Sequence, residues 1–310
     1  MSAPLRIVSR TSRLAMWQAE HIRAALMKHH SSLTVEIIGI KTKGDLWLDS
    51  PLQKIGGKGL FVKELQNALL KNEADIAVHS LKDLPAEFPD ELGLGAICAR
   101  ENPFDAFVCP KGFTLETLPH GSRVGTSSLR RTVQLRHFRP DLDFQPLRGN
   151  VDSRLRKCVE GEWDAIVLAA AGLKRLDLLS HVTEVFDATR VLPAVGQGAL
   201  AIEYRLKDNR TRDLISVLDD SHTRACVSAE RAMNATLGGN CQVPVAGFAT
   251  LHGNELSLTG RVGHPKQTAL LQAQAVDTVE NAVLLGKKVA RQLMEQGAKE
   301  LIDDILTNEY

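Results

Sequence analysis

The segment Pro193-Ala194-Val195-Gly196-Gln197-Gly198-Ala199-Leu200-Ala201-Ile202-Glu203-Tyr204 sets how this chain is organised. Its first half holds a proline and two glycines, residues that interrupt regular elements, and reads as a crossing between domains. Its second half is an apolar strand, 200–204, with no partner strand close to it in sequence. Upstream, strand-like runs at 5–9, 35–40, 76–78 and 94–99 alternate with helix-like segments at 13–28 and 61–71. A second cycle begins near Asp105, with strands at 106–108, 122–124, 144–147 and 165–168 and helices at 129–136 and 151–159. The unpaired strand 200–204 then has a natural place back in the first sheet, which makes the first domain discontinuous.

Downstream the pattern changes. Strand-like runs at 245–251, 255–262 and 269–276 follow one another, then an amphipathic helix at 279–296 and a terminal helix at 299–306. The fold class expected is α/β: two α/β domains plus a small C-terminal α+β domain with a three-stranded antiparallel sheet. The boundaries expected are 1–99 with 199–217, then 104–194, then 221–310.

Composition excludes several classes. The chain of 310 residues is 44% hydrophobic and 24% charged, which rules out a disordered or fibrous chain. A formal net charge of +1 gives no general drive toward nucleic acid or membrane. The N-terminus lacks a secretory pattern and no apolar run reaches membrane-spanning length, so a soluble cytoplasmic protein is expected. Five cysteines at scattered positions, with no CxxC pair, fit reduced thiols better than a disulfide framework or a zinc knuckle, and no metal is expected.

Charge distribution says more than net charge. Arg123, Arg130, Arg131, Arg136, Arg139, Arg148, Arg154 and Arg156 crowd one stretch, opposed there by Asp141, Asp143 and Asp152. Guanidinium groups suit bidentate contacts with carboxylates or phosphates, and the cluster points to an anionic small molecule, although each arginine alone reads as a solvated surface residue. Gly125-Thr126-Ser127-Ser128-Leu129-Arg130-Arg131 lies between a strand and a helix and combines backbone N–H groups, hydroxyls and cations. Arg148-Gly149-Asn150-Val151-Asp152-Ser153-Arg154 repeats the arrangement at the next junction, and Arg10-Thr11-Ser12 does so near the N-terminus. All three fall beyond the carboxyl ends of strands, where open α/β sheets bind ligands.

Two further residues attract chemistry. In His79-Ser80-Leu81-Lys82-Asp83-Leu84-Pro85, Asp83 follows an apolar strand. There it either accepts hydrogen bonds from ligand N–H groups and stabilises a developing cation, or serves as a loop cap or an ion-pair partner of Lys82. In Leu237-Gly238-Gly239-Asn240-Cys241-Gln242-Val243-Pro244, Cys241 sits on a glycine-rich turn after a helix-like run at 223–236. It is either a thiol held out for reaction or a buried structural cysteine. Lys54-Ile55-Gly56-Gly57-Lys58-Gly59-Leu60-Phe61 is basic and glycine-rich but lacks the Walker pattern, and reads as a lid.

Taken together, these motifs resemble the porphobilinogen deaminase family. The resemblance runs from Arg10-Thr11-Ser12-Arg13-Leu14-Ala15 with Gln18, through Gly56 to Phe61, His79 to Pro85, Gly125 to Arg131 and Leu147 to Val151. It continues through Leu192 to Gly198 and Glu230 to Pro244. One departure is Asn240, where the family usually has a small residue before the cysteine.

The resemblance implies three domains, the first two similar to the lobes of periplasmic binding proteins. It also implies a dipyrromethane cofactor joined to Cys241 by a thioether. The activity implied is head-to-tail joining of four porphobilinogen molecules with loss of ammonia, then hydrolysis to hydroxymethylbilane, in haem biosynthesis. Asp83 is the catalytic residue implied. Lys82, Asp83, Thr126, Ser127, Ser128, Arg130, Arg131, Arg148, Gly149 and Arg154 are implied to hold the cofactor. Arg10, Ser12, Gln18, Phe61, Arg148, Arg154 and Arg175 are implied to hold substrate. A monomer that hands its product to uroporphyrinogen-III synthase completes the expectation. Two rival classes remain: a non-catalytic periplasmic-type anion-binding protein, and a cysteine hydrolase using Cys241, which needs a histidine brought near by the fold.

Overall fold

The computed structural model describes residues 3–46, 62–239 and 243–308. Phe61 and Cys241, both singled out from the sequence, lie outside the described residues, as does most of the glycine-rich segment before Phe61.

Along the chain run β1 (Leu5–Arg10), α1 (Arg13–His29), β2 (Val35–Ile40), α2 (Lys43–Leu46), α3 (Lys63–Leu70), β3 (Ile76–Ser80) and β4 (Leu92–Ile97). Then come β5 (Asp105–Val108), β6 (Arg123–Gly125), α4 (Leu129–Phe138), β7 (Asp143–Gln145), α5 (Val151–Val159), β8 (Ala165–Ala169), α6 (Ala170–Arg175) and β9 (Glu184–Val185). The chain continues with β10 (Leu200–Arg205), α7 (Asn209–Ile215), α8 (Ser221–Thr236), β11 (Val245–His252), β12 (Glu255–Gly263), β13 (Leu270–Thr278), α9 (Ala282–Glu295) and α10 (Ala298–Asn308). The expected helix 279–296 begins later than its pattern indicates, because residues Val279–Asn281 form a 3₁₀ turn.

The first sheet has the order β2-β1-β3-β10-β4 and the second β7-β6-β8-β5-β9. In each, three parallel strands are followed by one antiparallel strand: β10 against β3 and β4, and β5 against β8 and β9. Strand 200–204 therefore does return to the first sheet. It is buried on both faces, consistent with its largely apolar run, and its one buried charge, Glu203, accepts from Gln66 Nε2 at 2.8 Å and pairs with His79 Nε2 at 3.0 Å. The third sheet, β11-β12-β13, is antiparallel throughout. This is the expected fold class, two α/β sheets and a C-terminal α+β portion with a three-stranded antiparallel sheet.

By its contacts the chain divides into two units, residues 1–101 with 198–224, and residues 102–197 with 225–310. The first unit buries Ile7, Ile22, Leu26, Ile76 and Ile202 between sheet and helices. The second holds the core of its α/β sheet around Phe107, Leu135 and Phe186. It also holds a separate core where α8 and α9 cover the third sheet, built on Met233, Leu258, Val289 and Leu293. There α9 crosses α8 at Gly286, where a Cβ would stand 2.3 Å from the Ala229 carbonyl oxygen, so only glycine allows this approach.

Candidate functional site

In the first unit β1 and β3 are parallel neighbours, so their carboxyl ends share one edge of the sheet. Past the end of β1, Ser12 caps α1 by accepting from the Ala15 N–H at 3.4 Å. Arg10 donates through Nε to both Asp45 oxygens at 3.2 Å. Its guanidinium thus has a protein counter-ion, a partner that the sequence reading did not assign. At the end of β3 the Ser80 hydroxyl accepts from Gln18 Nε2 at 2.9 Å, which fixes the buried Gln18 side chain of α1 beside β3.

The chain then makes the 3₁₀ turn Leu81–Asp83, anchored by buried Leu81. Lys82 is half-buried and Asp83 exposed. Among the described residues Asp83 has no hydrogen-bond or ion-pair partner. The loop-cap and Lys82 ion-pair alternatives therefore do not occupy it, and the carboxylate stands open at a strand end.

In the second unit β7, β6 and β8 are parallel neighbours, and three connections leave their carboxyl ends on one edge. After β6, Thr126 is buried and its hydroxyl accepts from the Ser128 N–H at 3.2 Å. The Ser127 hydroxyl donates to the Leu147 carbonyl at 2.9 Å, tying this loop to the one after β7. Ser128 is the N-cap of α4 yet its side chain makes no capping bond. A plain cap would use that hydroxyl, so it remains available to a ligand at the helix N-terminus.

After β7, Arg148 is half-buried, and burial lowers its pKa from the usual guanidinium value. No hydrogen-bond or ion-pair partner engages it among the described residues. Gly149 follows with φ +118°, a left-handed conformation that glycine adopts without strain. Arg154 on α5 donates through Nε to the Gly149 carbonyl at 2.7 Å, so the turn and the helix are fastened together. Arg175 ends α6 at the third connection and is half-buried.

Arg130 and Arg131, in the first turn of α4, are both buried. Arg130 Nη1 donates to Asp105 Oδ2 and to the Leu192 carbonyl, each at 2.7 Å. Arg131 donates to Asp105 Oδ1 through Nε at 3.0 Å and Nη2 at 2.7 Å, and through Nη1 to the Val167 carbonyl at 2.9 Å. Burial raises the Asp105 carboxyl pKa, but the charges of Arg130 and Arg131 outweigh it and hold it well below the usual carboxylate range. Asp105, Gln134 and Gln197, to which the sequence reading gave no role, join these arginines: Gln134 donates to the Arg130 carbonyl at 3.1 Å and Gln197 to Asp105 Oδ1 at 2.9 Å. The available signal was a lone charge opening the apolar run Asp105-Ala106-Phe107-Val108, but its partners at 130, 131 and 197 are joined to it only by the fold.

The thiol-bearing segment is described up to Gly239. After α8, Gly238 takes the left-handed φ of +66° expected of a helix stop. Gly239 does not; its lack of a side chain serves close packing instead, since a Cβ there would lie 2.0 Å from Asn234 Oδ1.

Two family models match the chain: the porphobilinogen deaminase dipyrromethane cofactor binding domain over residues 5–213, and the porphobilinogen deaminase C-terminal domain over residues 224–295. The chain belongs to the porphobilinogen deaminase family. It is a transferase of tetrapyrrole synthesis with a dipyrromethane cofactor and porphobilinogen as its substrate. The rival reading as a non-catalytic binding protein is not favoured.

Solved structures of similar architecture include the BvgS VFT2 domain of Bordetella pertussis, at 15% identity, TM-score 0.43, and coverage of 69% of this chain and 84% of that one. A substrate binding domain of a putative molybdenum ABC transporter from Clostridium difficile matches at 12% identity, TM-score 0.43, and 71% and 93% coverage. A YaeC-family lipoprotein from Enterococcus faecalis V583 matches at 12%, 0.42, and 70% and 91%. Among the described residues no helix is long and apolar enough to cross a membrane.

The donors at the second unit's strand ends suit the family's cofactor. Dipyrromethane carries several carboxylates, and Arg148 is a half-buried cation without a protein counter-ion among the described residues. Hydroxyl and guanidinium donors match carboxylate acceptors in chemistry and charge.

Proposed function

We propose that this porphobilinogen deaminase joins four porphobilinogen molecules head to tail, releases one ammonia for each, and frees hydroxymethylbilane by hydrolysis. When bound, the dipyrromethane supplies the nucleophilic pyrrole carbon on which the chain is extended. Cys241 holds it through a thioether. Thr126, Ser127, Ser128, Arg130, Arg131, Arg148, Gly149 and Arg154 hold its carboxylates, with Lys82 assisting. Arg10, Ser12, Gln18, Phe61 and Arg175 bind carboxylates or orient the incoming substrate, Arg148 and Arg154 serving here too.

Asp83 is the catalytic residue. Its carboxylate accepts hydrogen bonds from pyrrole N–H groups and stabilises the cation left on the substrate as ammonia departs. The observation that carries this reading is the open position of Asp83: exposed, at the end of buried β3, and without a protein partner among the described residues. A carboxylate spent on a cap or an ion pair has less capacity for either task.

The same proposal takes residues 1–99 with 199–217, 104–194 and 221–310 as three domains of a cytoplasmic monomer. Hand-off of the product to uroporphyrinogen-III synthase belongs to it as well. Asp83→Asn tests the chemistry. It should keep the fold and the covalent cofactor, both read by circular dichroism and intact mass, while turnover falls by roughly 10²- to 10⁴-fold, the range expected for losing a charged transition-state partner. Turnover within a few-fold of the parent would remove Asp83 from the reaction.

A further inference from the structure

Asp105 is fully buried, opens β5, and takes four side-chain donors on two oxygens: Arg130 Nη1, Arg131 Nε and Nη2, and Gln197 Nε2 at 2.9 Å. Gln197 also donates to the Pro103 carbonyl at 2.7 Å, so its amide is fixed from both ends of the hydrogen-bond pair. Two guanidinium groups desolvated side by side repel each other, and a single carboxylate between them converts that repulsion into a fixed geometry. Two cations against one anion leave a surplus positive charge. Arg130 spends only Nη1 on the protein, so its Nε and Nη2 have no acceptor among the described residues.

The same residues reach the crossing between the two sheets. Gln134 donates to the Leu192 carbonyl at 3.0 Å and accepts from the Leu192 N–H at 2.8 Å, while Arg130 donates to that same carbonyl. Four residues on, the Gly196 N–H donates to Glu230 Oε2 of α8 at 2.7 Å. The Gly247 N–H of β11 donates to the Pro193 carbonyl at 3.2 Å. The crossing is therefore held on one side by Arg130 and Gln134 and on the other by the helix that leads toward the thiol-bearing segment.

We propose that Asp105 is a positioning residue for cofactor capture: it fixes Arg130, Arg131 and Gln197, and through them the crossing, so that the surplus guanidinium donors meet a carboxylate ligand in one geometry. This rests on the reading of Arg130 as a cofactor contact. Asp105 does not touch the ligand; it acts by denying the arginines other arrangements.

The test compares Asp105→Asn, Asp105→Glu, Arg130→Met and Asp141→Asn with the parent, each expressed well below its melting temperature and checked for native circular dichroism. The readout is the fraction of protein carrying the two-pyrrole adduct by intact mass. Asp141→Asn breaks the Arg139–Asp141 pair just beyond the other end of α4 and should leave loading unchanged. Asp105→Asn should fold yet load at least tenfold less, and Asp105→Glu should recover part of the loss. If Asp105→Asn does not fold, Gln197→Met decides, since it removes one donor and no charge; its loading should fall at least twofold. Parental loading in folded Asp105→Asn, or failing that in Gln197→Met, overturns the inference. If Arg130→Met has meanwhile lost its cofactor, only the inference fails; if Arg130→Met loads fully, the underlying reading fails with it.

Discussion

Arg148 keeps a half-buried guanidinium with no protein partner among the described residues, an arrangement that costs folding free energy unless a ligand supplies the counter-charge. A change that removes the charge and keeps the stem's bulk should therefore leave the fold as stable as before or slightly more so. Arg148→Leu is expected to unfold in urea within about 0.5 kcal/mol of the parent or above it, when both are compared without cofactor, while turnover drops at least tenfold. A loss of stability matching the loss of turnover would mean that Arg148 serves the fold rather than the ligand. Arg10 differs, because Asp45 already pairs with it. Neutralising Arg10 would leave Asp45 with its Thr42 donors but no counter-charge, so a stability loss is expected there as well. Nothing in the sequence separates these two arginines: Arg10 ends a strand and Arg148 comes shortly after one, and only the fold brings a carboxylate to Arg10.

At the scale of elements, the alternation of short apolar runs with amphipathic helices made both α/β sheets and the third sheet legible, because burial on one or two faces leaves periods of 2 and 3.6 in the sequence. The return of β10 was legible too, since a largely apolar strand without a neighbour must pair somewhere. Four short elements were not: α2, whose four residues are too few to leave a helical period; β9, with two residues whose pairing with β5 is purely tertiary; α6, which starts directly where β8 ends; and α7, whose start is set by the Asp208 cap. The Asp105 cluster was hidden for the same reason, its members lying up to 92 positions apart. Helix contacts yield their own expectation. Gly286→Val should drive a side chain into the Ala229 carbonyl where α9 meets α8, lowering stability by about 1–3 kcal/mol or more in urea melts. Unchanged stability would contradict the close crossing.

For the whole molecule, folding leaves several carboxylates with depressed pKa values. At Asp105, Asp75 and Asp45 burial works to raise the pKa, but arginine partners outweigh it and hold each group below its ordinary value of 3.8. A depressed folded pKa contributes stability that is fully present above the unfolded value and is lost as pH falls through the folded one. Urea midpoints should therefore change little on this account between pH 7 and 5 and fall steeply below about pH 4, in proportion to the protons taken up on unfolding. A flat profile from pH 5 to 3 would show that these pairs do not operate in solution. In the proposed function this enzyme works on a chain tethered to itself through Cys241. Intact-protein mass spectrometry with peptide mapping measures that tether. Protein that turns over porphobilinogen should carry the mass of two linked pyrrole units on the peptide containing Cys241; active protein with an unmodified Cys241 would contradict the account.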